Sequence, residues 1–249
     1  MEKKLKSWQG WLLFGGTMVV VFVLGMIAAS VNERHAEVTS VMNNKKTEIT
    51  GIEARNDKFE PNYPREYQTW EATADTSFKS LYNGNQAVDV LEARPEMVIL
   101  WAGYAFSKDY STPRGHMYAI EDMRNTLRVG APMTENEGPQ PATCWTCKSP
   151  DVPRMMQAMG VDNFYKGKWA SLGKEIVNPI GCADCHEPEN MNLHISRPAL
   201  IEAFQRQGKD ITKATQQEMR SLVCAQCHVE YYFKGDGKYL TFPWDKGST

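Results

Sequence analysis

The sequence lacks an excess of charge of either sign, lacks clear strand patterns and has no cysteine outside three short motifs. Its 28 Lys and Arg residues are balanced by 30 Asp and Glu residues, for a net charge of −2. This near-neutral composition gives no reason to expect a nucleic-acid partner. Apart from the three motifs, no internal repeat is visible. At 249 residues and 42% hydrophobic, the chain is long enough to bury a core in one or two domains.

All six cysteines lie in motifs of one type. Two motifs have the form Cys-x-x-Cys-His, and the third has Lys in place of His. Cys-x-x-Cys-His is the attachment signature of c-type haem, in which two thiols bond to the porphyrin and the imidazole lies beneath the iron. The pattern therefore predicts a multihaem cytochrome with one unusual haem. The motifs are Cys144-Trp-Thr-Cys147-Lys148, Cys182-Ala-Asp-Cys185-His186 and Cys224-Ala-Gln-Cys227-His228.

Other uses of paired cysteines fit this spacing less well. Zinc ribbons place their pairs about 15–20 residues apart, whereas the first cysteines of successive motifs here are separated by 38 and 42 positions. A thioredoxin-like motif requires a βαβ setting, which the pattern does not show. Disulfides within the pairs would leave the two histidines at an identical offset unexplained.

The N-terminus predicts export. Lys3, Lys4 and Lys6 precede the uncharged run Trp11–Val31, whose 21 residues suffice to span a bilayer as a helix. Residues 1–31 are therefore interpreted as a signal peptide or an uncleaved membrane anchor. Either would send the rest of the chain across the membrane, which agrees with haem attachment outside the cytoplasm. We expect residues 32–64 to form an irregular tether.

Helical patterns dominate the remainder. Residues 114–127 carry one apolar stripe, residues 198–206 begin with proline, and residues 214–227 place the third motif at a helix end. We predict a mainly α-helical multihaem cytochrome c with long loops, in which the haems form much of the core.

The lysine of the first motif predicts a haem of a different kind. A haem with histidine on both faces carries only electrons, whereas a catalytic haem needs one open face. A lysine amine binds iron only after losing a proton that it otherwise keeps up to pH ~10.4. Lys148 directly follows Cys147, where coordination can drive that loss. The alternative is a surface lysine beside an unrelated cysteine pair.

Several further segments resemble one known family. They include Tyr67-Gln-Thr-Trp-Glu, Arg114-Gly-His-Met-Tyr, Asn125-Thr-Leu-Arg-Val-Gly-Ala-Pro132, Ser196-Arg-Pro198, the Val-Glu-Tyr-Tyr-Phe233 that follows His228, and Phe242-Pro-Trp-Asp245. With the three motifs, they resemble the periplasmic pentahaem cytochrome c nitrite reductases, the ammonia-forming cytochrome c-552 family, from about Tyr63 onward. The resemblance implies six-electron reduction of nitrite to ammonia in the periplasm. It makes residues 65–249 the N-terminal part of a catalytic domain.

The resemblance also implies roles around the first haem. Lys148 would be its proximal ligand, and Arg128 would reach the open distal face, where a guanidinium suits an anionic substrate. The hydroxyl of Tyr231 would face the substrate. Glu230 and the carbonyl of Tyr231 would bind calcium, a hard cation that prefers oxygen ligands. Without the family, Arg128 is an ordinary helix-end arginine and residues 230–232 end a helix.

Three of the five histidines match haem ligands of the family, and two do not. The resemblance makes His186 and His228 the proximal ligands of the second and third haems, and His116 the distal ligand of the third. His194 and His35 match no family ligand. The second haem's distal ligand normally comes from a later part of the family sequence, so only His194 or a methionine could supply it here.

The chain departs from the family in haem number, since it has three attachment motifs where the family has five. The remaining calcium ligands and an active-site histidine are also missing, so we expect a fragment or a truncated product. The alternatives are an electron-transfer cytochrome without catalytic activity, an octahaem nitrite or hydroxylamine enzyme, and a non-haem metal protein. The family implies a membrane quinol-oxidising multihaem cytochrome as electron donor and a homodimer.

Overall fold

The computed structural model describes residues 7–77, 79, 81, 85–97, 99, 114–125 and 140–245. The chain divides into two compact units, Met1–Lys46 and Thr47–Thr249. The described helices and strands are α1 Ser7–Asn43, α2 Pro64–Glu71, α3 Val90–Ala93, α4 Ala119–Asn125, α5 Asp151–Met159, α6 Val161–Lys166, α7 Trp169–Leu172, α8 Cys182–Cys185, α9 Pro198–Arg206, α10 Gln216–Ala225, β1 Tyr232–Lys234 and β2 Tyr239–Thr241.

The first unit is built around the long helix α1. Its segment Ser7–Ser40 is long and apolar enough to cross a membrane, and it fits a signal peptide or a membrane anchor. The irregular tether expected from residue 32 is not what the structure shows, because the helix continues to Asn43. Residues 32–43 contain neither glycine nor proline, so nothing in this stretch interrupts the backbone hydrogen bonds.

Most of the remaining expected tether, from residue 47 onward, belongs to the second unit. Ile49 and Phe59 are buried. The amide of Asn62 donates to the carbonyl of Thr47 at 2.8 Å, and its side-chain oxygen accepts from the Thr47 amide at 3.0 Å. These two hydrogen bonds close a loop of irregular backbone and satisfy its polar groups. Residues 47–62 are therefore an ordered strap.

The core of the second unit surrounds the first cysteine motif. The indole of Trp145 stacks on that of Trp169 with ring centroids 3.3 Å apart, and its Nε1 donates to the Trp169 carbonyl at 3.0 Å. Both residues are fully buried. Such an aromatic pair contributes about 1 kcal/mol beyond the area it buries. Trp145 therefore anchors the first motif in the hydrophobic core of the second unit.

Two predicted helices are confirmed. The helix α9 covers Pro198–Arg206, with proline at its first position. The helix α10 begins at a capping box, in which the Thr215 hydroxyl accepts from the Glu218 amide and the Glu218 carboxylate accepts from the Thr215 amide. The stripe predicted over residues 114–127 forms a 3₁₀ turn, His116–Tyr118, followed by α4. Leu127 lies outside the described residues.

Strands are short in the described part of the chain. β1 and β2 pair antiparallel, with Tyr232 opposite Thr241 and Lys234 opposite Tyr239. The expectation of a mainly α-helical fold with long connections is confirmed. Long irregular segments leave room for groups that the polypeptide does not supply.

Candidate haem-binding site

The two His-type motifs adopt the same backbone turn. The His186 amide donates to the Cys182 carbonyl at 2.9 Å, and the His228 amide donates to the Cys224 carbonyl at 2.8 Å. Each is an α-type bond between residues four apart, so both cysteines and the histidine lie on one helical turn. The third motif ends α10, as the sequence predicts.

The Lys-type motif is wound more tightly. It begins within a 3₁₀ turn, Ala142–Trp145, and the Lys148 amide donates to the Trp145 carbonyl at 2.9 Å. This bond joins residues three apart and rotates the side chain at position 148 relative to the histidine position of the other motifs. The lysine is only partly buried. The ligand position therefore differs in backbone conformation as well as in side chain.

His186 is oriented by a backbone carbonyl. Its Nδ1 lies 2.7 Å from the carbonyl oxygen of Met191. Met191 has φ 58°, a left-handed conformation that side chains other than glycine rarely adopt. When Nδ1 carries the proton, this bond leaves Nε2 as the acceptor available to a metal. The turn at Met191 thus suits a metal-binding imidazole.

His116 and His228 face each other. Their ring centroids are 6.0 Å apart and their planes are inclined by 39°. A metal–imidazole bond is about 2 Å long, so two such bonds plus the distances to the ring centres separate the centroids by about 6 Å. Desolvation and the neighbouring His228 lower the pKa of His116, partly opposed by Asp184, which favours the neutral ring that binds metals.

The first and third motifs meet at their second cysteines. The neighbouring Cys227 thiol is the main cause that lowers the pKa of Cys147 to about 7, opposed by burial and helped by Lys148 and Arg197. Burial raises the pKa of Cys182 and of Cys185 to about 11. None of the six described thiols forms a disulfide, so oxidation does not block thioether bonds at the three pairs.

A buried asparagine supports the second motif. The Asn56 side-chain oxygen accepts from the Cys182 amide at 2.9 Å, and its amide nitrogen donates to the Pro179 carbonyl at 3.2 Å. Gly181 lies directly against this side chain, in space that a Cβ atom would share with it. The sequence pattern gives no signal for Asn56, because it lies 126 positions before Cys182.

Of the remaining predicted site residues, the structure describes Tyr231 and Glu230. Tyr231 and Glu230 are exposed, and the Tyr231 ring lies 5.9 Å from that of Phe233. The stretch 230–232 does not end a helix, since α10 stops at Ala225 and Tyr232 opens β1. Arg128 lies outside the described residues.

The other histidines make different contacts. His194 Nδ1 lies 3.3 Å from a carboxylate oxygen of Glu187, and burial lowers the pKa of His194. His194 also lines a cavity of about 560 Å³ beside the second motif. His35 lies within α1. Over the described segments, no three His, Cys, Asp or Glu residues converge to hold a metal ion, which gives no support to a zinc site.

Residues 55–249 match the family model described as cytochrome c552. The chain belongs to the cytochrome c552 family. Its similarity to other members extends over the whole sequence. It is 99% identical over 249 residues to a cytochrome c-552 from Parabacteroides distasonis, covering 100% of this chain and 50% of that protein. It is 48% identical to the cytochrome c-552 of Aliarcobacter butzleri, covering 95% of this chain and 48% of that protein.

A solved structure extends the comparison. Cytochrome c nitrite reductase from Desulfovibrio desulfuricans, whose description names two calcium sites in the catalytic subunit, superposes with a TM-score of 0.70 at 34% identity. The match covers 81% of this cytochrome c552 chain and 46% of that protein. The chain spans about half the length of the relatives it matches.

The residues of this cytochrome c552 chain fit haem c. Three pairs of thiols, none of them in a disulfide, stand at attachment spacing. His186 Nδ1 lies against a carbonyl oxygen, and the rings of His116 and His228 lie 6.0 Å apart, a separation compatible with one iron between them.

Proposed function

We propose that this chain is part of a periplasmic nitrite reductase that converts nitrite to ammonia in a six-electron reaction. One observation carries the proposal: a single motif has Lys148 where the other two have histidine, and it differs from them in backbone turn. Similarity to the Desulfovibrio desulfuricans nitrite reductase supports the same conclusion. The whole protein would carry five haems, of which this chain would attach three through its cysteine pairs.

When bound, haem c supplies electron transfer and, at the first motif, one iron position open to an anion. Lys148 would hold that iron through its neutral amine, and binding the metal would displace the amine proton. His186 would support the second haem, with its tautomer fixed by the Met191 carbonyl. His228 and His116 would hold the third from both faces.

Residues near the open face would bind nitrite and supply protons. Arg128 would attract the anion, because its guanidinium stays charged and offers several fixed donors. The hydroxyl of Tyr231 would orient the substrate and donate a proton. Glu230 and the Tyr231 carbonyl would bind calcium. The positive charge of that ion would further favour an anionic substrate.

A membrane quinol-oxidising multihaem cytochrome would deliver the electrons, and two copies of the whole protein would form a homodimer. The competing candidate is an electron-transfer cytochrome without catalysis. A ferric spectrum of the whole protein that contained only low-spin haem would support this second candidate.

The test replaces the ligand in the full-length protein. Lys148→His should retain covalent haem by mass spectrometry but lower nitrite turnover at least about tenfold, equivalent to about 1.4 kcal/mol in the barrier. The exposed Lys174 lies outside the motifs, so Lys174→His serves as the control and should match the wild type. Equal turnover by Lys148→His would refute the assigned role.

A further inference from the structure

The three motifs share a buried feature at their second variable position. Thr146, Asp184 and Gln226 occupy this position in the first, second and third motifs, and their exposed fractions are 0%, 2% and 2%. The side chains are chemically unrelated, so a common apolar core does not explain their burial. Ser196 and Arg197 lie between them and join all three. We call these five residues the inter-motif cluster.

Arg197 links the first and second motifs. Its Nε donates to the Thr146 carbonyl at 2.7 Å, and its Nη2 lies 2.5 Å from the Asp184 carboxylate. Nη2 also donates to the Ser149 carbonyl at 2.8 Å, and Nη1 donates to the Ser196 hydroxyl at 2.6 Å. All three guanidinium nitrogens are engaged, with 1% of the residue exposed. A lysine ammonium cannot reach this set of acceptors from one nitrogen.

Gln226 links the second and third motifs. Its side-chain amide donates to the Asp184 carbonyl at 2.8 Å, and its oxygen accepts from the amides of Ser196 at 3.0 Å and Arg197 at 3.1 Å. The Ser196 hydroxyl donates to the same Asp184 carbonyl at 2.7 Å. Gln226 thus joins the third motif directly to the second, and Arg197 connects both of them to the first.

The energetics favour a positioning role. Taking a guanidinium and a carboxylate out of water costs about as much as their attraction returns, and apolar replacements of buried ion pairs are often equally stable. Such a pair does fix geometry, because every donor and acceptor requires a defined position. Arg197 and Asp184 are the members that carry this charge. A contribution to the free energy of unfolding therefore does not by itself account for the buried Arg197–Asp184 pair.

We propose that Arg197 is a positioning residue that sets the distances and angles between the three haems by tying their attachment loops together. This inference rests on the proposed haem attachment and extends the proposed function to electron delivery. Electron transfer slows steeply as haem edges separate. A loop displaced by a small distance would therefore weaken the supply of electrons to the Lys148 site without removing any haem.

The chain offers a matched control on the same helix. Arg197 precedes α9 and Arg206 ends it. Arg206 also pairs with a buried carboxylate, since its Nε lies 2.5 Å and its Nη2 2.9 Å from Asp245, but it touches no motif residue in the described contacts. Both Arg197→Lys and Arg206→Lys therefore replace a guanidinium that binds a buried carboxylate. Only the guanidinium of Arg197 also contacts the motifs.

The experiment uses the full-length holoprotein. In Arg197→Lys, we expect unchanged covalent haem mass, altered EPR signals from interacting ferric haems, and internal electron transfer slowed about tenfold in rapid-mixing reduction. Arg206→Lys should keep the wild-type EPR spectrum and rate. A role in folding alone would lower the unfolding temperature while leaving haem–haem coupling intact. Wild-type coupling and rate in Arg197→Lys would overturn the proposal.

A second variant decides the outcome if Arg197→Lys does not accumulate. Gln226→Met keeps the side-chain length but removes the hydrogen bonds that join the second and third motifs. It should alter the coupling between those haems, and an unchanged spectrum would overturn the proposal. A wild-type protein that carries haem but does not reduce nitrite would refute the proposed function and leave this comparison valid.

Discussion

The second and third motifs have the same local backbone but different surroundings. Each closes one α-type turn between its histidine and its first cysteine. Around His228, a second imidazole faces the ring at 6.0 Å. The His186 ring instead places its Nδ1 2.7 Å from the carbonyl oxygen of Met191. His194 is near enough for the His186 ring to contribute, after burial, to the lowered pKa of His194, but the His194 Nδ1 lies against Glu187.

This difference indicates that the attachment turn and the surroundings of its histidine are specified separately. Five consecutive residues suffice for the turn, whereas the group that lies against the imidazole can come from a distant part of the fold. For the third motif that part is the 3₁₀ turn His116–Tyr118, 112 positions before His228. For the second motif, the described contact of the histidine ring is the Met191 carbonyl, only five positions after His186.

The largest expected effect is at the support of the second motif. Gly181→Ala places a methyl group in the space of the Asn56 side chain, which binds the Cys182 amide. We expect a loss of about 2–3 kcal/mol in the free energy of unfolding and less haem on the second motif. Thermal unfolding and mass spectrometry measure the two effects. Gly237→Ala, where a Cβ meets only ordinary contacts at 3.6 and 3.9 Å, is the control; equal behaviour of the two variants would contradict the assignment.

A smaller effect is expected at the facing histidines. His116→Ala should convert one haem, that of the third motif, from low spin to high spin, because its sixth ligand is lost. EPR and magnetic circular dichroism of the full-length protein count the low-spin centres. His194→Ala should leave that count unchanged, since His194 contacts Glu187. An unchanged count in His116→Ala would show that His116 is not a ligand.

The smallest effect is at the carbonyl behind His186. Met191→Val disfavours the left-handed backbone by about 1–2 kcal/mol, because a β-branched side chain crowds this conformation. A displaced carbonyl would make the imidazole a weaker electron donor, so we expect a more positive reduction potential for the second haem. Met191→Gly accepts the same φ and should keep the wild-type potential in a spectroelectrochemical titration. Identical potentials for both variants would exclude the bond as a determinant.

The sequence predicted those features that depend on neighbouring residues. Helix α9 follows from Pro198 and the helix formers after it, and the end of α10 at the third motif follows from its periodicity. The prediction that irregular structure begins at residue 32 was wrong, because α1 continues to Asn43. The polar residues after Val31 were interpreted as a tether, although none of them breaks a helix. Polarity reports exposure, and an exposed helix is polar as well.

The supports of the site were not predictable in the same way. Asn56 lies 126 positions before the Cys182 amide that it binds, and Arg197 lies 51 positions after the Thr146 carbonyl that it binds, so no period or spacing connects these residues. The segment Ser196-Arg-Pro198 resembles the family, but that resemblance carries no partner for the arginine. The contact of Cys147 with Cys227 likewise depends on the complete packing of the core.

The inter-motif cluster has a consequence for which substitutions the motifs tolerate. The cluster binds the first motif through the backbone carbonyl of Thr146. It binds the other two motifs partly through the side chains of Asp184 and Gln226. Saturation libraries at the three positions should therefore diverge. Position 146 would accept any residue small enough for its closed surroundings, whereas positions 184 and 226 would each accept only a few residue types. Replacing the second or third attachment loop with a foreign one should therefore succeed only when the native residue at this position is kept.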